Sequence, residues 1–392
     1  MGGMAESRTT LPNRLPYLLM GGHICVDAAQ AGLAAVLPFL VLDGGLSYAQ
    51  ATLLVLASNI ASAVIQPLFG WLGDKKARPW LMALGVVLAG GGIAAIGLLK
   101  TYWLIVLAAL ISGIGNAMLH PEGGRLANLV GGTDKAVSMS VFSVGGQVGF
   151  CLGPIITVAA INAFGLAGTL VYLAFCLPYA AVLLAFNRRF LSFGLREQAA
   201  EGAQVARDRW GAFSVVMGAL SVRSIVFYGV TSFMPLFIIG TFGVEQGFAS
   251  ALITVFSLAG AVATALSGLA SHKVSIPALM VGGFCLIGAA MLVFVFCHNL
   301  PLCIAMLMLI AVGTNIFNPP AVALSQSYLP AHLGMASGLS FGVAVAVGGV
   351  VSPLLGMVGD AVGLTPVLLL LVAFSAVGLA SSIVTMRIEK RR

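Results

Sequence analysis

Charge is what this chain lacks. Only 8% of its 392 residues are Asp, Glu, Lys or Arg, against about 25% in a soluble globular domain. A water-soluble enzyme cannot be built from such a surface. Long polar stretches are missing too, apart from residues 188 to 209, and almost nothing remains for a soluble domain. The six cysteines (Cys25, Cys151, Cys176, Cys285, Cys297, Cys303) fall in or beside apolar runs, with neither the spacing of a disulfide framework nor that of a metal site. No G-x-x-x-x-G-K-[ST] loop occurs, which argues against ATP as an energy source. The opening MGGMAESRTTLPNR has no apolar core and no small-residue cleavage site, so the first span is expected to be retained.

What the chain has is apolar length. It is 60% hydrophobic with a mean hydropathy of +1.07. Crossing a bilayer takes about 20 apolar residues, and twelve such stretches can be marked: 17–41, 49–70, 79–99, 102–126, 136–162, 167–187, 211–239, 248–270, 276–296, 301–326, 337–361 and 365–386. A net charge of +7 could suggest nucleic acid, but the positive residues are sorted by side. Arg8, Arg14, Lys75, Lys76, Arg78, Lys135, Arg188, Arg189, Arg196, Arg207, Arg209, Lys273, Arg387 and residues 390–392 share one side; the other offers Lys100, Asp43, Glu245 and His298. The positive-inside bias puts both termini in the cytoplasm and makes the span count even.

The segment 188–209 divides two sets of six spans that repeat each other at a period near 198. GNAMLHPEGG (115–124) matches GTNIFNPPAV (313–322), VFSVGGQVGFCLGPII (141–156) matches LSFGVAVAVGGVVSPLL (339–355), and LPFL (37–40) matches MPLF (234–237). Repeated halves of this kind are typical of secondary transporters that rock one bundle against the other around a midplane site.

GWLGDKKARP (70–79) resembles the cytoplasmic loop motif of the major facilitator superfamily, G-x-L-A-D-R-x-G-R-R. Gly70, Leu72, Asp74 and Arg78 fit, Lys75 substitutes conservatively, and Ala77 and Pro79 depart from it. GFCLGP (149–154) resembles that superfamily's fifth-span antiporter motif through Gly149, Gly153 and Pro154. HPEGGRLA followed by SVFSVGGQVGFCLGP is similar to the fosmidomycin-resistance branch of drug exporters. The resemblance implies an all-α integral membrane fold of twelve helices in two pseudo-symmetric bundles, exchange of a phosphonate-like compound for protons, and spans one and seven facing each other across a central cavity. It also gives Gly70, Asp74, Lys75 and Arg78 the role of a latch between helices; a solvated, topology-setting turn is the alternative.

Polar residues inside apolar spans are costly and mark pathways. His23, Asp27 and Gln30 form one stripe at i, i+4 and i+7, with Asp27 about ten residues, roughly 15 Å, into span one. Asp27 is the leading proton carrier, with His23 and Glu122 as further candidates. If Pro38 and Pro235 are equivalent, Arg223 falls opposite Val26, where it could meet Asp27; it could also snorkel to the surface. On span five the glycines and the stripe Ser140, Ser143, Gln147 occupy opposite faces. On span four, Asn116 and His120 share a face, while Glu122 and Arg125, three apart, can pair on another as a gate or clamp. The alternative is an early helix exit that leaves these residues in the interface. Asn315 and Asn318, at the mirrored level, offer hydrogen bonds to substrate or to neighbouring helices, as does Gln326.

The expected substrate residues are therefore Arg223, His120, Asn116, Gln147, Gln30, Asn315 and Asn318. The expected gate is Gly70, Asp74, Lys75, Arg78 and Arg125. Residues 1–187 and 211–392 form the bundles and 188–210 the linker. The whole reads as a proton-coupled exporter in the inner (plasma) membrane, monomeric, with a small molecule, protons and lipid as partners. No enzyme activity, cofactor, metal or nucleic acid is expected. Proton-coupled uptake of an organic anion stays open, because an anion that took Arg223 from Asp27 would favour proton binding. A non-transporting sensor or scaffold is the remaining reading.

Overall fold

The computed structural model describes residues 14–42, 45–201 and 207–391; Arg8, Asp43 and Arg392 lie outside them. Lipid offers no hydrogen bonds to the backbone, so each apolar run closes its own as a helix. The helices are α1 (Leu15–Leu42), α2 (Tyr48–Lys75), α3 (Trp80–Ile96), α4 (Tyr102–Val130), α5 (Lys135–Phe164), α6 (Val171–Ala185), α7 (Asn187–Glu201), α8 (Trp210–Phe242), α9 (Gln246–Lys273), α10 (Ile276–Phe296), α11 (Leu300–Asn315), α12 (Asn318–Tyr328), α13 (Leu333–Gly338), α14 (Ala344–Val362) and α15 (Leu364–Lys390). A π-helical turn, Leu339–Val343, joins α13 to α14.

Among the described residues ten helical stretches are long and apolar enough to span a membrane. One of these, Lys135–Ala185, is two spans, α5 and α6, and the short apolar α3 is a further one. Twelve spans result. Local chemistry sets several ends: a capping box starts α2, with Ser47 Oγ accepting from Gln50 N at 3.2 Å and Gln50 Oε1 accepting from Ser47 N at 2.9 Å. Gly243, at φ +63°, ends α8 in the left-handed cap that glycine adopts freely.

Two spans differ from expectation. α2 runs on to Lys75, so Gly70, Asp74 and Lys75 occupy its last turns and not a loop. The tenth span is broken into α11 and α12, because Pro319 and Pro320 cannot donate backbone hydrogen bonds and the residue before a proline resists helical geometry. The polar segment after α6 is itself helical: α7 buries Phe190 and packs on α4.

α1 to α6 form one bundle and α8 to α15 the other, and they meet mainly through α2 with α13 and α5 with α9. Both interfaces lie in the membrane half nearest Leu15 and Lys390, the terminal side. There a Cβ on Gly338 would fall 2.6 Å from Gln66 O, and one on Gly268 2.6 Å from Val137 Cα. Gly268 stands 198 residues after Gly70, which itself faces Gly334 and Met335, so the two seams are repeat-related. Hydrogen bonds between bundles, among the described residues, reach outward only as far as Gln147 and Asn315. Toward the other side Asn59 and Ser232 are exposed. The molecule is closed on the terminal side and parted opposite.

Candidate functional site

Glycines build the site. Gly145, Gly146, Gly149 and Gly153 turn one face of α5 onto α1, where a Cβ on Gly149 would fall 2.7 Å from Ile24 O, and one on Gly146 2.7 Å from both Asp27 Oδ2 and His23 Nε2. Small residues permit such close approach. The antiporter-like motif is thus a packing surface, reinforced by Tyr172, whose hydroxyl donates to Ala28 O (3.0 Å) or Gly153 O (3.1 Å).

His120 of α4 completes a buried cluster with His23 and Asp27. His23 Nε2 is 3.1 Å from Asp27 Oδ2, His120 Nε2 is 3.4 Å from Asp27 Oδ1, and the two Nε2 atoms are 3.1 Å apart. His23 Nδ1 donates to Phe142 O at 2.8 Å and His120 Nδ1 to Asn116 O at 3.0 Å. A carbonyl can only accept, so both Nδ1 atoms carry hydrogen and each neutral ring presents a bare Nε2. Two bare nitrogens beside a carboxylate repel one another. One added proton on either Nε2 replaces the repulsion with a hydrogen bond and an ion pair. The geometry is suited to holding a proton beyond two neutral imidazoles and an ionised carboxylate. The three donors lie within 4.8 Å of one another, as a metal site would require. They are one ligand short of a closed tetrahedral zinc site.

Arg223 does not meet Asp27. The side chain is buried, with Nε donating to Thr314 O at 2.9 Å, Nη2 to Asn315 Oδ1 at 2.8 Å, and the guanidinium 5.0 Å from the Phe227 ring centre. It does not snorkel either. Tyr228 lies within electrostatic reach of both Arg223 and Asp27.

Two separate sets of amides lie beside these centres. Asn116 donates to Gln30, which donates to Asn59 at 3.0 Å, and Gln147 donates to Asn315 across the bundles at 3.3 Å. Asn318, half-buried at the start of α12, has no hydrogen bond to this group. His120 belongs with Asp27 and not with the amides.

Below lies the closure. Asp74 accepts from the backbone N–H groups of Gly334 (2.6 Å) and Met335 (2.9 Å) at the start of α13, where an anion also suits the helix dipole. Arg125, within Coulomb reach of Asp74, is 3.4 Å from Glu122, and both are almost fully buried in a helix that continues to Val130. The helix therefore does not end at these residues, and their side chains are buried in protein. Glu122 stands apart from the Asp27 cluster. α7 covers Arg125, since a Cβ on Gly194 would fall 3.1 Å from Arg125 Nη2. Lys75, exposed, lies over Trp71 at 3.6 Å, and the Arg78 side chain makes no hydrogen bond or ion pair among the described residues. Asn128 donates to Gln326 at 2.6 Å, while Gln326 donates to Gly124 O at 3.2 Å and to Ser337 Oγ at 2.7 Å. Asn128 and Phe341 escaped the sequence reading, although Asn128 lies one repeat before Gln326.

Twelve spans in two repeated bundles around buried ionisable side chains define a membrane transporter and not an enzyme. The chain belongs to the Major Facilitator Superfamily, whose model matches residues 19–353. It is 25% identical to the uncharacterized MFS-type transporter YfnC of Bacillus subtilis, covering 93% of this chain and 91% of the relative. It is likewise 25% identical to the fosmidomycin resistance protein of Escherichia coli, covering 92% and 90%. The quinolone resistance protein NorA of Staphylococcus aureus matches over 120 residues at 28%, 30% of this chain and 31% of NorA. Among solved structures the E. coli fucose:proton symporter FucP superposes with a TM-score of 0.72 at 15% identity, covering 95% and 98% of the two chains. The proton:xylose symporter XylE gives 0.74 at 13%, covering 95% and 94%. At those identities the structures share the fold.

Proposed function

We propose that the chain exports a small drug-like compound, preferably an anionic, phosphonate-like one, in exchange for protons. It would sit in the inner membrane with both termini in the cytoplasm, and alternate access by rocking residues 1–187 against 211–392, with 188–210 as linker. It acts as a monomer. The observation that carries the reading is the separation of two buried ionisable centres, Asp27 between two imidazoles in one bundle and Arg223 against Asn315 in the other. Similarity to the fosmidomycin resistance protein over nine-tenths of each chain supports the export direction and substrate class.

Separation also removes an obstacle to antiport. Were Asp27 paired with Arg223, an anion taking the arginine would raise proton affinity and favour symport. With Asp27 held by histidines, an anion can bind at Arg223, Asn315 and Gln147 without freeing it. The two ligands would then interact through the bundle arrangement that each prefers, as exchange requires. Gln30 and Asn116 extend the substrate surface toward His120, and Asp74 with Arg125 holds the cytoplasmic closure.

The test is proton flux from reconstituted vesicles with an acidic lumen, on adding fosmidomycin-like anions and lipophilic cations, with Asp27→Asn alongside. Substrate-triggered proton movement opposite to substrate, lost in the variant, is expected. Movement in the same direction would mean symport and uptake; counterflow without proton movement would refute proton coupling.

A further inference from the structure

Phe341 comes from the second bundle yet rests on the histidines of the first. Its ring centre is 5.7 Å from that of His120, 6.4 Å from His23 and 5.8 Å from Phe142. Phe142 in turn stacks on His23 at 4.2 Å. The residue sits within the π-helical turn Leu339–Val343, an irregularity frequent at functional sites. Glycines on both sides make the approach possible. A Cβ on Gly124, one turn beyond His120 toward the terminal side, would fall 2.8 Å from Phe341 Cε2, and Gly338 and Gly342 press the segment's backbone onto Gln66 of α2.

We propose that Phe341 is the seal between the His23–Asp27–His120 cluster and the terminal side of the membrane. The titratable groups facing the cluster are its own three members and Tyr228 of α8, with Arg223 behind; α5 and the α13–α14 segment contribute none. An apolar ring from the second bundle thus rests against the two imidazoles, and among the described residues no charged side chain of that bundle is paired with them. Closing the terminal side seats Phe341 between Gly124 and Phe142 and keeps water from that direction out. Parting α13 from α2 and α4 withdraws the ring together with the latch, and the same movement exposes the cluster to the terminal side. The proton would then exchange with one compartment at a time. This consequence rests on the proton-coupled reading above; the seal itself does not.

Two readouts separate them. The first is the rate at which diethyl pyrocarbonate modifies His23 and His120 in vesicle-embedded protein, located by mass spectrometry, with His272, His298 and His332 as internal references. Phe341→Ala should raise that rate several-fold, Phe341→Leu much less, and Gly124→Ala, which displaces the ring from the opposite wall, should act like Phe341→Ala. The second is proton leak under an imposed pH gradient without substrate, expected to rise in the same two variants. Faster modification with more leak supports the proposal. Faster modification without leak, in a protein that moves no protons with substrate, supports the seal and refutes proton coupling. Unchanged modification in both Phe341→Ala and Gly124→Ala overturns the proposal.

Discussion

Asn128 of α4 and Gln326 of α12, 198 residues apart, are hydrogen-bonded to each other at 2.6 Å. That separation is the internal repeat of the chain, so each residue is the other's counterpart, and a bond between counterparts lies on the pseudo-twofold axis. The axis therefore passes through the closed terminal side. Any rocking that opens this side must break that bond along with the Gln326 contact to Gly124 O, while the Gln326 contact to Ser337 Oγ stays within the second bundle.

Gln326→Ala should accordingly favour the arrangement open on the terminal side. Removing the two bonds that cross between the bundles and stranding the buried Asn128 amide costs about 1–3 kcal/mol, and that cost applies only while the side is closed. Spin labels on α4 and α13 at the terminal end should report a larger fraction of long distances. An unchanged distribution would show that the pair is not a latch.

Asp74 supplies the second hold, and its effect is local enough to read at two amides. Both carboxylate oxygens accept from the first turn of α13. Asp74→Asn keeps one acceptor, loses the charge that the helix terminus favours, and should weaken the contact by about 1–2 kcal/mol. Hydrogen exchange at Gly334 and Met335 should quicken, with no change at the amides of α10. Protection that persists in the variant would remove Asp74 from the closure.

The legible parts of this protein were those written in local periodicity or exact repetition. Twelve apolar runs became twelve spans, and the i, i+4, i+7 stripe on α1 did place His23 and Asp27 together. The glycine face of α5 followed from helical angles alone. What failed was the inference from symmetry to contact. Arg223 occupies nearly the repeat position of Asp27, but a long side chain goes to the nearest good acceptors, and these are Thr314 O and Asn315. His120 joined Asp27 because α4 packs on α1, which no spacing within one helix encodes. Lys75 and Arg78, matched by motif, went where positive charges at a helix end go without a buried partner. The repeat held one unread clue, since position 128 is Gln326 minus the period.

The α1–α5 contact should tolerate no added methyl. At Gly149 a Cβ would meet backbone, Ile24 O at 2.7 Å and Ala28 N at 2.9 Å, which cannot rotate away; at Gly91 of α3 nothing lies within 4 Å. Gly149→Ala is expected to cost about 1–3 kcal/mol through overpacking, whereas Gly91→Ala should be neutral or slightly stabilising. Thermal unfolding in detergent compares them, and equal melting temperatures would mean that the helices can part without loss.

The proposed role of Arg223 in substrate binding predicts an order among its variants. Its guanidinium spans two acceptors, Thr314 O and Asn315 Oδ1, and keeps its charge when buried. Lysine retains the charge but is a point donor, so Arg223→Lys should bind an anion more weakly by about one charge-assisted hydrogen bond, roughly 1.5–3 kcal/mol, or about ten- to a hundredfold in dissociation constant. Arg223→Gln loses the charge as well and should be weaker still. For a cationic substrate the order inverts, because removing a buried positive charge relieves repulsion, and Arg223→Gln would then bind best. Equilibrium binding of fosmidomycin-like anions and of lipophilic cations to the three proteins distinguishes the cases. An anion that binds all three equally would place the substrate away from Arg223.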